Sequence, residues 1–264
     1  MKVSEVMSTE YEIIDKDQML SSALALLKKK NLTRLIVQQN DKVIGLLSFR
    51  DVADRLGSYK TEGKSSKSLH VSSAMTFPVL SVEPDLDVKQ AAQIMVENRI
   101  SSLIVMENEK LVGLLRKYDL LKVYEGCKKI KIKDLMTEDP VKISESERVI
   151  SARNIMMEKK FSVLPVMNEG VLVGTVDDET LAEALARFRE TIHIKHQKSR
   201  IQEYFVGMVM KKEPPTIKAS EPLCNAVQIL QETRSKGIFV LDDTEKLIGI
   251  ITVTDVTKQL AEEK

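Results

Sequence analysis

The sequence predicts an α/β (α+β) fold built from four tandem β-α-β-β-α repeats, and three observations predict it. The motif apolar-x-x-apolar-Met occurs four times, as Val3 to Met7, Val71 to Met75, Ile132 to Met136 and Val206 to Met210. A glycine follows each methionine at nearly constant distance: 38 residues from Met7 to Gly45, Met75 to Gly113 and Met136 to Gly174, and 39 from Met210 to Gly249. Between these landmarks the hydrophobic spacing changes in the same order each time, from a short extended run to helical periodicity to two apolar strands.

Repeat one shows the plan. An extended piece at 12–15 precedes a helix over 18–31, whose apolar face is Leu20, Ala23, Leu24, Leu26 and Leu27. Strands at 35–38 and 43–47 flank the turn Gln39-Asn40-Asp41-Lys42, which reads as a hairpin. Ser48 suits the N-cap of a closing helix over 48–56. Repeat two runs 79–82, 86–98, 102–106 and 111–115, with a closing helix over 116–125. Repeat three runs 141–143, 148–160, 162–167 and 171–176, with a helix from Asp177. Repeat four runs 216–218, 222–235, 238–241 and 247–251, with a helix from Thr252. The expected domains are therefore 1–57, 71–125, 132–187 and 206–261. Of the linkers, 57–70 is rich in Gly, Ser and Lys and reads as a solvated connector. Residues 124–131 are short and basic, whereas 187–205 lack Gly and Pro and read as an extension of the helix before them.

At 264 residues the chain can bury a sizeable core. Lys+Arg 40 against Asp+Glu 39 leaves a net charge of +1, which provides no global field for nucleic acid or a membrane surface. No apolar run reaches the roughly 18–20 residues of a membrane helix, and no secretory leader opens the chain. Cys127 and Cys224 stand in no CxxC or Cys/His cluster. One disulfide is conceivable, but two free thiols in a reducing, cytoplasmic compartment is the better reading. His193 and His196, without Cys or acid partners, read as solvated linker residues, and no metal site is expected. Met156 and Met157 read as core filler. No Walker loop, GxSxG elbow or HExxH motif is present, and no carboxylate pair marks acid/base machinery. A catalytic site is not expected.

The chemistry lies where each glycine-bearing strand meets the closing helix. Such a junction leaves backbone N–H groups without partners and favours an anion. A hydroxyl there can reach a phosphate, and a carboxylate one turn later can accept from sugar hydroxyls. Taken once, Ser48-x-x-Asp51 is more simply a cap that satisfies itself; its recurrence is what points to a ligand.

The opening motif, the β-α-β-β-α order and the closing Gly-x-x-[Ser/Thr]-x-x-Asp together resemble the cystathionine-β-synthase (CBS) domain. Leu164-Pro165-Val166 matches the Pro-Val that often ends that family's middle strand. Four copies span nearly the whole chain, an arrangement similar to the γ subunit of AMP-activated protein kinase and to stand-alone archaeal four-repeat relatives. The resemblance implies pairing into two-repeat Bateman modules, here 1–125 and 132–264, and regulatory binding of adenosyl ligands in clefts. A unit of about fifty residues is marginal alone, which gives pairing a physical reason.

Carried over residue by residue, the resemblance makes Ser48 the phosphate contact and Asp51 the ribose contact of repeat one. Arg34 stands where kinase-γ-like relatives carry a phosphate-contacting arginine. Thr252 and Asp255 inherit the same two roles in repeat four, with Arg234 or Lys236 as nearby cations and Gly237 at the Arg34 position. Repeat two keeps Asp119 but substitutes Arg116 for the hydroxyl, and that arginine either clamps a polyphosphate or pairs with Asp119 and plugs the cleft. Repeat three has Asp177 at the phosphate position and Thr180 at the aspartate position, and is expected to bind no nucleotide.

The function implied is a non-enzymatic sensor that binds AMP, ADP or ATP and signals energy state to a regulated protein partner, with pairing to a second copy open. The alternative ligands are S-adenosylmethionine and methylthioadenosine. A further alternative is an interaction or nucleic-acid module with vestigial pockets, supported only by the basic stretches 128–133 and 195–200.

Overall fold

The computed structural model describes residues 1–263. The repeat plan recurs as four sheets, each with its first strand parallel to the middle strand and the middle strand antiparallel to the last. In repeat one these are Ile13–Asp15, Arg34–Gln39 and Lys42–Ser48, followed by the helix Phe49–Gly57. The hairpin forms because Asn40 and Asp41 adopt φ of 50° and 60°, the positive pair a tight two-residue turn requires. Helix Leu20–Lys30 ends on Asn31 in the left-handed region, a conformation asparagine tolerates better than most residues. Its Leu20, Ala23, Leu24 and Leu27 are buried, as the periodicity predicts.

The chain forms two compact units. One contains residues 12–79 and 141–213, hence the bodies of repeats one and three. Its core joins Leu20, Leu27, Leu35, Leu47, Phe49 and Leu56 to Val149, Met156, Leu164, Val176 and Leu185. Helix Phe49–Gly57 packs on helix Asp178–Thr191. Arg50 donates to the Met156 and Phe161 carbonyls at 2.7 and 2.8 Å, which caps the end of helix Val149–Lys159. The other unit contains residues 1–11, 80–140 and 214–264, hence the bodies of repeats two and four. There helix Val88–Glu97 packs on helix Val253–Glu262. Tyr118 donates to the Leu230 and Gln231 carbonyls, at 3.0 and 3.1 Å, near the end of helix Leu223–Thr233.

Each opening motif is built into the body of the neighbouring repeat, not of its own. Val3 and Ser4 N–H donate to Leu86 and Pro84 of repeat two, and Ser8 bridges to Leu114. Val71 and Ser72 donate to Gln18 and Lys16 of repeat one, and Thr76 bridges to Leu46. Ile132 and Lys133 donate to Glu221 and Ala219 of repeat four, where Thr137–Glu138 adds a fourth strand. Val206 and Gly207 donate to Glu147 and Glu145 of repeat three. This exchange ties repeat one to two and three to four.

Three local expectations are corrected. The closing segment of repeat two is a 3-10 helix at Asp119–Tyr124, not a helix over 116–125, because Arg116 replaces the capping hydroxyl and ties up Asp119. The connector 57–70 is not freely solvated: Thr61 and Ser66 are fully buried. Thr61 donates to the Arg55 and Ser58 carbonyls, and Ser66 to Glu190 on the long helix of repeat three. Of residues 187–205 only those up to Thr191 continue that helix. A second helix, Ile194–Arg200, starts on a His193 cap. No helix among the described residues is long and apolar enough to cross a membrane.

Candidate functional site

Four equivalent junctions can be compared. The strand register places Arg34 opposite Ser48, Ser102 opposite Arg116, Val163 opposite Asp177, and Gly237 opposite Thr252. On the other side of each closing strand lies the residue that follows the exchanged methionine: Thr76, Ser8, Lys211 and Thr137. The methionine itself covers the landmark glycine. A Cβ at Gly45 would lie 3.0 Å from Met75 Sδ, at Gly113 2.6 Å from Met7 Sδ, at Gly174 2.7 Å from Met210 Sδ, and at Gly249 2.8 Å from Met136 Sδ. The glycines therefore allow a close approach that any side chain would block.

In repeat one Ser48 caps helix Phe49–Gly57 in a capping box with Asp51. The Ser48 amide and hydroxyl donate to Asp51 Oδ2 at 2.7 and 2.5 Å, and the Thr76 hydroxyl donates to Oδ1 at 3.0 Å. Burial raises the Asp51 carboxyl above its ordinary value of 3.8. The hydrogen bonds from Ser48 and Thr76 and the nearby Arg34 charge oppose that shift without cancelling it. Repeat four repeats the box: the Thr252 amide and hydroxyl donate to Asp255 Oδ2 at 2.9 and 2.7 Å. Gly237 leaves its register position without a side chain, and Arg234 sits left-handed at the end of helix Leu223–Thr233, where its charge is felt by Tyr118.

Repeats two and three hold cations where one and four hold hydroxyls. Arg116 grips Asp119 bidentately along one edge of the guanidinium, Nε donating to Oδ2 at 2.9 Å and Nη2 to Oδ1 at 2.6 Å. Of the two roles open to Arg116, the structure shows the pairing. Asp119 is 5% exposed, so the pair is largely withdrawn from solvent on its acidic side. In repeat three Asp177 caps helix Asp178–Thr191, accepting from the Thr180 amide and hydroxyl at 2.8 Å each. The Lys211 ammonium lies 3.0 Å from Asp177 Oδ2 and 3.2 Å from Glu179 Oε2. Burial works against the Lys211 charge, but the two carboxylates outweigh it and hold its pKa above the ordinary lysine value.

Sequence reasoning missed Thr76 and Lys211. Each directly follows its methionine, but a linear alignment assigns that residue to its own repeat, whereas the exchange delivers it to the neighbour. His193 serves as a helix cap, and among the described residues no three His, Cys, Asp or Glu side chains gather to hold a metal. An open groove of about 590 Å3, lined by Phe188, Tyr204 and Phe205 with Arg187 and Arg200, contains none of the four cap residues.

The CBS domain model matches residues 3–58, 71–126, 132–190 and 206–262. The chain belongs to the CBS domain family. This CBS chain is 24% identical over 238 residues to the uncharacterized protein MJ1225 of Methanocaldococcus jannaschii, an alignment that covers 84% of each. The crystal structure of MJ1225, described as a proposed archaeal homolog of g-AMPK, superposes at TM-score 0.85 with 20% identity, over 99% of this chain and 100% of that one. A conserved protein of Pyrococcus horikoshii superposes at 0.65 with 19% identity, over 98% and 100%. At those identities the likeness shows a shared four-repeat CBS fold. CBSX2, solved in complex with AMP, is 30% identical over 49% of this chain and 95% of its own, at TM-score 0.41. That shared half does not transfer its ligand.

Proposed function

We propose that this CBS protein is a non-enzymatic sensor of adenine nucleotides, with competent sites at repeats one and four. Modules 1–125 and 132–264 are its working pairs, and a regulated partner protein reads their occupancy. The observation that carries the reading is the difference in what reaches each carboxylate. The bonds that Asp51 and Asp255 accept come from hydroxyl and amide donors, which a ribose can replace like for like. Asp119 and Asp177 accept comparable amide or hydroxyl bonds, but each is in addition ion-paired, with Arg116 and Lys211 respectively. A ligand entering repeat one or four exchanges hydrogen bonds, whereas one entering repeat two or three must first separate a partly buried ion pair, which is costly. Calorimetric titration with AMP, ADP and ATP tests the reading: heat from two or fewer sites is expected, and no heat with any of the three overturns it.

The register opposite each cap separates the ligand classes. Arg34 faces Ser48 in repeat one, which favours a phosphate-bearing ligand; Gly237 faces Thr252 in repeat four, which suits an adenosyl compound with less negative charge, such as methylthioadenosine or S-adenosylmethionine. Arg34→Ala is expected to weaken AMP binding to repeat one while leaving methylthioadenosine binding to the protein unchanged. Equal loss for both ligands would remove the assignment of Arg34 to phosphate.

Proton linkage offers an independent check. The folded Asp51 carboxyl holds its proton to higher pH than an ordinary carboxyl does. Ribose hydroxyls need the ionised form as acceptor, so nucleotide affinity at repeat one should fall as pH drops from neutral through the raised range, and Asp51→Asn should flatten that dependence. The same shift has the opposite sign for stability. Between the ordinary value of 3.8 and the raised one, the folded chain binds the extra proton, so the contribution of Asp51 to stability declines as pH rises through that window.

A further inference from the structure

We infer that Cys127 and Cys224 form a reversible thiol–disulfide site that takes a low-molecular-weight disulfide as its oxidant. They are the only two cysteines of the chain and lie 97 residues apart in sequence, yet the fold brings their backbones into contact. The Cys224 amide donates to the Cys127 carbonyl at 3.3 Å. Around it the Leu223 amide donates to Ile130 at 2.8 Å, the Ile132 amide donates to Glu221 at 3.0 Å, and Lys131 bridges Pro222 in antiparallel register. Backbone dimensions alone then place the two Cα atoms roughly 5–6.5 Å apart, inside the range of about 4.4–6.8 Å that a disulfide spans. Both thiols are free and half-buried, and both belong to the same compact unit. Cys224 lies in the first turn of helix Leu223–Thr233, and Cys127 packs at the edge of the core.

The reaction balances as two exchanges. One cysteine thiolate attacks a sulfur of the incoming disulfide, and its first thiolate leaves and takes a proton. The second cysteine thiolate then attacks the protein sulfur of the mixed disulfide, and the second small thiol departs. Two cysteine thiols are oxidised to one disulfide and the reagent is reduced to two thiols. The new bond would pin the start of helix Leu223–Thr233, whose far end Tyr118 already holds. It would also close a covalent loop around residues 141–213, the stretch of chain that leaves this unit for the other.

The test treats the full chain with oxidised glutathione. The expected product is a monomer lighter by two hydrogens, with no titratable thiol, a digest peptide joining Cys127 to Cys224, and a melting temperature several degrees higher that dithiothreitol reverses. Cys127→Ser and Cys224→Ser should each stop at a single glutathione adduct. Two stable glutathione adducts on the unsubstituted chain, a disulfide joining two chains, or unreacted thiols in the folded protein would each overturn the inference.

Discussion

Asp51→Ala is expected to weaken AMP binding at repeat one by about tenfold to a hundredfold, and Asp255→Ala to do the same at repeat four. A hydrogen bond to a charged group contributes about 1.5–3 kcal/mol, and about 1.4 kcal/mol corresponds to a factor of ten. Each carboxylate also closes a capping box, so each substitution should cost about 1 kcal/mol of stability; binding is therefore compared below the melting transition of the weakest variant. The informative control is Asp177→Ala. Asp177 is matched by Lys211 and belongs to a junction closed from within, so its removal should leave nucleotide heat unchanged. An Asp177→Ala loss as large as that of Asp51→Ala would sink the claim that the four junctions are unequal.

The second large effect concerns the glycines under the methionines. Gly113→Ala puts a methyl 2.6 Å from Met7 Sδ and 3.1 Å from the Ser8 carbonyl oxygen. Overpacking of this kind typically costs about 1–3 kcal/mol. A thioether is flexible, so Met7→Ala should recover part of the loss, and the double variant should be more stable than the sum of the singles predicts. Gly174→Ala meets a harder obstacle, since the Lys211 carbonyl oxygen lies only 2.8 Å from the added Cβ and belongs to backbone paired with Thr175. Met210→Ala should rescue it poorly. Chemical denaturation of the two double-mutant cycles checks this, and full additivity in the Met7–Gly113 cycle would contradict the contact.

The repeat was legible because every body needs a methionine over its glycine and a cap after its closing strand, although that methionine comes from the neighbouring repeat. The helix faces and the Asn40-Asp41 hairpin were legible because period and turn chemistry are local. The chemistry at the caps was legible only in part. Ser48, Asp51, Thr252 and Asp255 stand in one short motif, but Thr76 and Lys211 reach their junctions through chain exchange, which no periodicity records. The closing segment of repeat two looked helical, but Arg116, reaching forward to Asp119, takes the place of a capping hydroxyl. Connector 57–70 misled because its polar composition hides two small buried residues: Thr61, whose hydroxyl turns back to the Arg55 and Ser58 carbonyls, and Ser66, whose hydroxyl finds Glu190 in a repeat far along the sequence.

The exchanged opening segments also determine how the chain responds to being cut. Cleavage within 57–70 would not release repeat one as a piece, because residues 1–11 remain built into the body of repeat two while 69–76 remain built into that of repeat one. The two fragments would hold each other like interlocked hooks, and separating them would require unfolding both. A gene for any single repeat, trimmed at its sequence boundaries, would carry a segment with no body to cover and a sheet with no cover. The smallest self-covering unit of this architecture is therefore the pair.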